Sequence, residues 1–235
     1  MDPAKAPIVE GVPNRLYGRR RGHALRPRQQ NLLDQTLPRL DLGAAAGDPA
    51  SSFTTAVDDI WLEVGFGGGE HALALNRAHP RIGLIASEVF ENGLCSLLTT
   101  LVSDGAEATG PLPGNLRLWP RDARHLLAAL PQGALGRLYL MFPDPWPKAR
   151  HSKRRFVHPS MLPLVAGALR RGGEWRLASD DPTYQAWVEE VFAGQDVFAP
   201  VLDAWERPGD WFPTRYEAKA IAAGRRPRYW IFRRV

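Results

Sequence analysis

A single cysteine, Cys95, stands among the 235 residues, so neither an intrachain disulfide nor a thiolate metal site can form. Its surroundings, Gly93-Leu94-Cys95-Ser96-Leu97-Leu98, read as an apolar helix, where a small buried core residue is favoured over a nucleophile. A reducing cytoplasm is the expected compartment. The six histidines show no metal-ligand spacing, and no metal is expected. No uninterrupted apolar run reaches membrane-spanning length, and the opening Met1-Asp2-Pro3-Ala4-Lys5 carries no apolar signal core, so no membrane partner is expected either. No internal repeat is present. Acids are missing altogether from Gly11 to Leu33.

Cations fill that gap. The 30 Lys and Arg against 25 Asp and Glu leave a net charge of only +5, but the placement is uneven. Arg15, Arg19, Arg20, Arg21, Arg26 and Arg28 occupy the acid-free stretch. A second cluster runs Lys148, Arg150, Lys153, Arg154, Arg155, and a third is Arg225, Arg226, Arg228, Arg233 and Arg234. Any one cluster alone reads as solvated surface charge. Together, and dominated by arginine, whose planar fork suits phosphate, they point to a polyanion such as nucleic acid.

The hydrophobic fraction of 44% and charged fraction of 23% lie near the globular average. Residues 1–28 read as a basic arm, and 29–235 as a single α/β domain with a substantial core. Leu32, Leu33, Leu37 and Leu40 recur at helical spacing within Gln29 to Leu40, and a Gly, Ala, Ser and Asp-rich connection follows to Thr55. From there strand and helix patterns alternate. Strands are predicted at 60–64, 81–87, 115–118, 138–141 and 173–178, and helices at about 70–79, 91–102, 122–130 and 160–170. That order requires crossovers, hence a doubly wound, mainly parallel sheet with helices on both faces and ligands beyond the carboxyl ends of the strands. The aromatic C-terminus, with Trp205, Trp211, Phe212, Tyr216, Tyr229, Trp230 and Phe232, supplies a last antiparallel pair.

Where the first of these strands turns into a helix stands Glu63-Val64-Gly65-Phe66-Gly67-Gly68-Gly69. Gly65 and Gly67 let the backbone pass close under a ligand, and the helix N-terminus offers free N–H donors. The dinucleotide fingerprint wants a third glycine where Glu70 stands, and an acid there would crowd and repel a pyrophosphate. S-adenosylmethionine has no phosphate and carries two cationic centres that an acid such as Glu63 would favour. Glu88 closes the next strand, where a carboxylate binds a ribose diol in either nucleotide family. Asp122 follows a strand and is equally well read as a contact to an adenine amino group or as the N-cap of the helix behind it.

The most specific segment is Met141-Phe142-Pro143-Asp144-Pro145-Trp146-Pro147-Lys148-Ala149-Arg150-His151-Ser152-Lys153-Arg154-Arg155. An Asp between two prolines is held on a stiff turn, as suits a group that orients a reactant. Trp146 offers a stacking surface, and the basic run behind it a phosphate stripe, which together suit a nucleic-base site.

With these residues in hand, the chain resembles the bacterial tRNA (guanine-N7)-methyltransferases, class I Rossmann-like enzymes, from roughly Trp61 to the C-terminus. The loop from Pro143 to Arg155 is close to a signature of that family; Glu63 with its glycine turn, Ser179-Asp180, and Thr214-Arg215-Tyr216-Glu217-Ala218-Lys219 ahead of Gly224 agree with it. The resemblance implies that Glu63, Glu88, Asp122 and Asp144 line an S-adenosylmethionine site. It implies too that Lys148, Asp180, Thr214, Arg215, Tyr216 and Glu217 meet the substrate, and that Arg150, His151, Lys153, Arg154 and Arg155 touch tRNA, the target being its variable-loop guanine. Tyr216 where Phe is frequent, and Ala218 and Ala220 where a basic residue or Gly often stands, are departures.

Guanine N7 holds an in-plane lone pair, so its attack on a sulfonium methyl needs no prior proton removal, no catalytic triad and no metal. Alignment and electrostatic support for the charge arriving on the base are what remain. An arginine fork on O6 and N7 would block the nucleophile, so the base is expected to be held by its N1–H and N2 donors. The expected acceptor is Asp144, alone or with Asp180 or Glu217, while Lys148 approaches O6. Two rival classes are a different enzyme on the same scaffold, such as another RNA methyltransferase or a nicotinamide dehydrogenase, and a non-catalytic RNA-binding module. The first has no use for the stripe from Trp146 to Arg155, the second none for an intact glycine turn with paired acids. The sequence favours neither monomer nor homodimer.

Overall fold

The computed structural model describes residue 18 and residues 20–235; Arg15, Arg19 and most of the expected arm lie outside them. The described chain enters through α1 (Pro27–Asn31), a π-helical turn at Leu32–Thr36 and α2 (Leu37–Leu40). Pro27 suits the first turn of a helix, where its missing N–H has no partner to lose. The helix therefore starts two residues before the expected domain boundary at 29.

Among the described residues one sheet forms from β1 (Asp59–Val64), β2 (Ile82–Ser87), β3 (Leu116–Trp119), β4 (Leu135–Met141), β5 (Leu169–Ser179), β6 (Phe198–Ala204) and β7 (Arg228–Arg234). Its order is β3-β2-β1-β4-β5-β7-β6. Strands β1 to β5 are parallel, and β7 pairs antiparallel with both β5 and β6, so the expected mainly parallel sheet with an antiparallel C-terminal pair is what forms. The helices are α3 (Glu70–Ala78), α4 (Glu91–Leu101), α5 (Ala123–Ala129), α6 (Leu162–Ala168), α7 (Pro182–Ala193) and α8 (Arg215–Ala222).

Alternation along β1 divides the core. Leu62 and Val64 join Ile85, Leu138, Leu140 and Trp175 in one apolar cluster, whereas Trp61 joins Leu84, Ala86, Tyr139 and Ala178 in the other. Both faces of the central strands are covered, which is why they read as near-continuous apolar runs. The chain order reverses between β1 and β4, and such a reversal leaves a crevice at the carboxyl ends of the strands.

Two differences from the sequence reading have local causes. The helix expected across 160–170 stops at Ala168, because Leu169 pairs with Leu135 and starts β5, while Arg170 forms an ion pair with Asp59 at the foot of β1. Helices α7 and α8 were not anticipated. Asp181 caps α7 by accepting from the Tyr184 amide at 3.0 Å, and Thr214 with Glu217 forms a reciprocal capping box on α8. No helix among the described residues is long and apolar enough to cross a membrane.

Candidate active site

At the strand-order reversal the ends of β1, β2 and β4 open onto a cleft of about 440 Å³, inside the roughly 300–1,000 Å³ span of small-molecule sites. Its floor is the glycine turn, with Gly65 at φ +73° and Gly67 at φ +59°, both left-handed conformations that other residues adopt at a cost. A Cβ on Gly65 would meet nothing within 4 Å, so the backbone is bare toward the cleft. One on Gly67 would stand 3.1 Å from the Tyr216 ring, which arches over the turn from α8.

Glu88, just past β2, is anchored by three backbone amides: Gly67 donates to Oε2 at 2.8 Å, and Val89 and Phe90 donate to Oε1 at 2.7 and 2.9 Å. Burial pushes its carboxyl above the usual glutamate range; the three amides oppose that shift, and the charge of Asp144 adds to it. Asp122 caps α5, accepting from the Arg124 amide at 3.0 Å, and the Arg124 side chain holds both its oxygens. The N-cap reading of Asp122 is thus realised, and the residue still lines the cleft.

The opposite wall is the loop after β4. Phe142 at φ +53° and Trp146 at φ +45° are the non-glycine residues in left-handed conformation among the described residues, and each immediately precedes a proline. Residues before proline are driven toward extended conformations, so the loop stores strain at both ends of the Pro143-Asp144-Pro145 turn. Neighbours hold it there. The Phe142 amide donates to the Ala178 carbonyl at 2.8 Å, and Arg155 donates to the carbonyls of Pro145 and Trp146 at 3.0 and 3.1 Å. The Arg154 guanidinium lies 4.9 Å from the Trp146 ring centroid. Asp144 remains exposed at the cleft.

Comparison with known proteins places this geometry. A family model described as a putative methyltransferase matches residues 58–228. The tRNA (guanine-N(7)-)-methyltransferase of Granulibacter bethesdensis is 60% identical over 225 residues, 95% of this chain and 96% of that protein. Its counterpart from Rhodospirillum rubrum is 48% identical over 94% of this chain and 88% of its own. This chain belongs to the tRNA (guanine-N7)-methyltransferase family. Solved structures agree on the fold: an antibiotic-related methyltransferase superposes with a TM-score of 0.55 at 13% identity, covering 80% of this chain and 94% of its own. The 16S rRNA methyltransferase KamB gives 0.53 at 17% identity, covering 76% and 88%.

In this member of the family, the cleft collects Gly65, Gly67, Glu88, Asp122, Asp144, Lys153, Arg154 and Tyr216 from the residues singled out in the sequence, with Arg155 at its back wall. Others stand elsewhere. Glu63 is 2% exposed, on the far side of the turn, with Oε2 3.1 Å from Nδ1 of the equally buried His71. Arg155, expected on RNA, is 6% exposed and braces the loop from behind, its guanidinium also 4.8 Å from the Trp187 ring centroid. Thr214 and Glu217, expected on substrate, point into the molecule: Glu217 accepts from Tyr229 Oη at 2.8 Å and Arg207 Nε at 3.0 Å. Asp180 pairs with Arg225 at 2.5 Å, and Arg215 with Glu70 at 3.6 Å. Lys148, at the head of a 3-10 turn over Ala149–Arg154, and Arg150 are exposed. His151 sits edge-on to Trp146, and desolvation followed by its basic neighbours lowers its imidazole pKa.

One contributor escaped the sequence reading. Gly93 lies inside α4, where a glycine costs helix stability, and a Cβ there would sit 2.3 Å from the Gly67 carbonyl oxygen. A glycine inside a predicted helix was the readable signal.

Proposed function

We propose that this chain transfers a methyl group from S-adenosylmethionine to N7 of the variable-loop guanine of cytoplasmic tRNA. What carries the reading is one cleft joining a bare glycine turn and a backbone-anchored Glu88 to a strained Asp144–Trp146 loop edged with cations, in a chain 60% identical to a protein named for that activity.

The residues present fit the donor: an open glycine cradle and a carboxylate at the end of β2 for a ribose diol. When bound, S-adenosylmethionine supplies a methyl group on a sulfonium centre. Gly65 and Gly67 leave it room, Glu88 accepts from the ribose hydroxyls, and Asp122 closes the adenine side. Glu63 lies beneath the turn, 3.1 Å from His71, and supports the donor site from below. Asp144 accepts from guanine N1–H and N2, which points N7 into the cleft and supports the positive charge the base acquires. Lys148 stands free to turn toward O6. Asp180 and Glu217, each held by an arginine, support this geometry rather than touching the base. The exposed Arg150 and Lys153 hold tRNA phosphates, and the acid-free arm within residues 1–28 extends that contact to the body of the RNA.

Methyl transfer from radiolabelled S-adenosylmethionine to unmodified bulk tRNA, followed by nucleoside analysis, tests this directly. Labelled 7-methylguanosine is expected. Label in another nucleoside overturns the base site, and tRNA binding without label favours a non-catalytic RNA-binding module. Asp144→Asn should lower turnover on the order of 100-fold; near-normal turnover removes Asp144 from the electrostatic role.

A further inference from the structure

The third basic cluster is not used by the cleft. It begins where β5 ends. Strands β5 and β6 are both antiparallel to β7 and therefore run the same way, so Trp205, the residue after β6, stands on the rim that bears the cleft. Three strand spacings separate β4 from β6, about 14 Å along the rim.

At that corner Trp205 is 40% exposed, a high value for the largest side chain. The guanidinium of Arg226 lies 4.6 Å from its ring centroid and that of Arg228 4.9 Å. The charges of the cluster are unequally spent. Arg228 is neutralised by Asp203 at 2.6 Å and Glu189 at 2.7 Å, and Arg225 by Asp180 at 2.5 Å. Arg226 is exposed and has no carboxylate partner among the described residues. Among the described residues its guanidinium meets the Trp205 ring, while its carbonyl accepts from Gln185 Nε2 at 3.0 Å. A guanidinium held in place by an aromatic face, with its donors open, is a preorganised anion ligand.

We propose that Trp205 and Arg226 form a second backbone-binding point for tRNA, in which the ring orients the guanidinium toward an RNA phosphate beyond the reactive base. The proposal rests on the tRNA reading above and extends its footprint from the cleft to the far edge of the sheet. The Arg225–Asp180 pair lies between the two points and keeps the intervening rim neutral. Arg228, held by Asp203 and Glu189, is the strut of the corner on which the Trp205 ring rests.

The test uses the full chain and unmodified tRNA. Binding is measured as a function of salt for wild type, Arg226→Ala, Arg226→Lys and Trp205→Ala, with donor affinity and thermal unfolding alongside. Arg226→Ala should flatten the slope of log affinity against log salt by about 0.7–0.9, one phosphate contact. It should raise KM for tRNA several-fold, with kcat at saturating tRNA and donor affinity unchanged. Trp205→Ala should raise KM in the same way by releasing the guanidinium, and Arg226→Lys should restore the slope but only part of the affinity. A slope and KM unchanged in both alanine variants, in a wild type that methylates tRNA, overturns the second contact and leaves the active site standing. A wild type that neither binds nor methylates tRNA overturns both.

Discussion

The Arg155 guanidinium donates to the Trp146 carbonyl at 3.1 Å, so the most basic stretch of the chain is tied to the back of the loop that carries Asp144. Arg155 thereby braces the loop. Its second bond, to the Pro145 carbonyl, fixes the residue just before Trp146, whose left-handed backbone must be held against its preference.

Arg155→Ala should therefore lower kcat/KM on the order of 100-fold through misplacement of the loop, while leaving the salt dependence of tRNA binding unchanged. Arg155→Lys should fall nearly as far, because an ammonium cannot reproduce the two-pronged contact. Alanine at the exposed Arg150 or Lys153 should do the reverse: each should flatten the salt slope by about 0.7–0.9 and leave kcat alone. A flattened slope for Arg155→Ala would return that residue to the RNA surface.

Glu88 feels the charge of Asp144 across the cleft, and the sign of its pH dependence follows. Burial first, and then the Asp144 charge, raise the Glu88 carboxyl above its ordinary value of 4.5. Ribose hydroxyls need the ionised form, so donor affinity should be complete above the raised value and lost as pH falls through it, at a higher pH than an unperturbed glutamate would give. As a stability contribution the sign is opposite: the folded chain binds this proton more tightly than the unfolded one, so stability from Glu88 declines as pH rises through the same value. Asp144→Asn removes one cause of the shift. Titrating donor affinity against pH should show the acid limb moving downward in that variant; an unmoved limb means the two carboxylates do not sense one another.

Much of this site was legible because its signals are local. Gly65, Gly67, Glu88, Asp122 and Asp144 all follow strands directly, so a strand-helix alternation read from periodicity was enough to bring them to one edge. The direction of side chains was less legible. Arg155 follows four basic neighbours that share its composition, and only the fold shows it turning inward to the Pro145 and Trp146 carbonyls. Thr214, the N-cap of α8, and Glu217 stand three apart, the pattern of a capping box, yet family likeness points both toward substrate. Glu63 alternates with Leu62 and Val64 and so faces the opposite side of the sheet from the apolar cluster beneath the cleft.

Gly93 gives a sharp steric test. A methyl group at this position would stand 2.3 Å from the Gly67 carbonyl oxygen, so either α4 or the turn must move. The turn is the softer of the two, and Gly67 is also the residue whose amide anchors Glu88. Gly93→Ala should weaken donor binding at least tenfold by calorimetry, with little change in tRNA affinity. Gly47→Ala, where a Cβ meets nothing within 4 Å, is the matched control and should bind donor normally.

Glu217 separates a structural from a substrate-facing assignment for the Thr214 to Glu217 segment. Its carboxylate is 7% exposed and receives Tyr229 Oη, Arg207 Nε and the Thr214 amide, which also completes the cap of α8. Removing it leaves the buried Tyr229 hydroxyl without its acceptor, opens the cap of α8 and breaks the pair with Arg207, which keeps only the Trp211 carbonyl, a loss on the order of 3 kcal/mol. For a chain of this size that corresponds to a Tm lower by roughly 6–12 °C. Glu217→Ala should show that drop, with KM for tRNA near wild type when assayed well below the transition. Tyr216→Ala, which deletes the exposed ring over Gly67, should behave oppositely: Tm unchanged and KM raised for donor or tRNA. A Glu217→Ala variant with normal Tm and a raised KM for tRNA would mean that its carboxylate turns outward to the RNA once the complex forms.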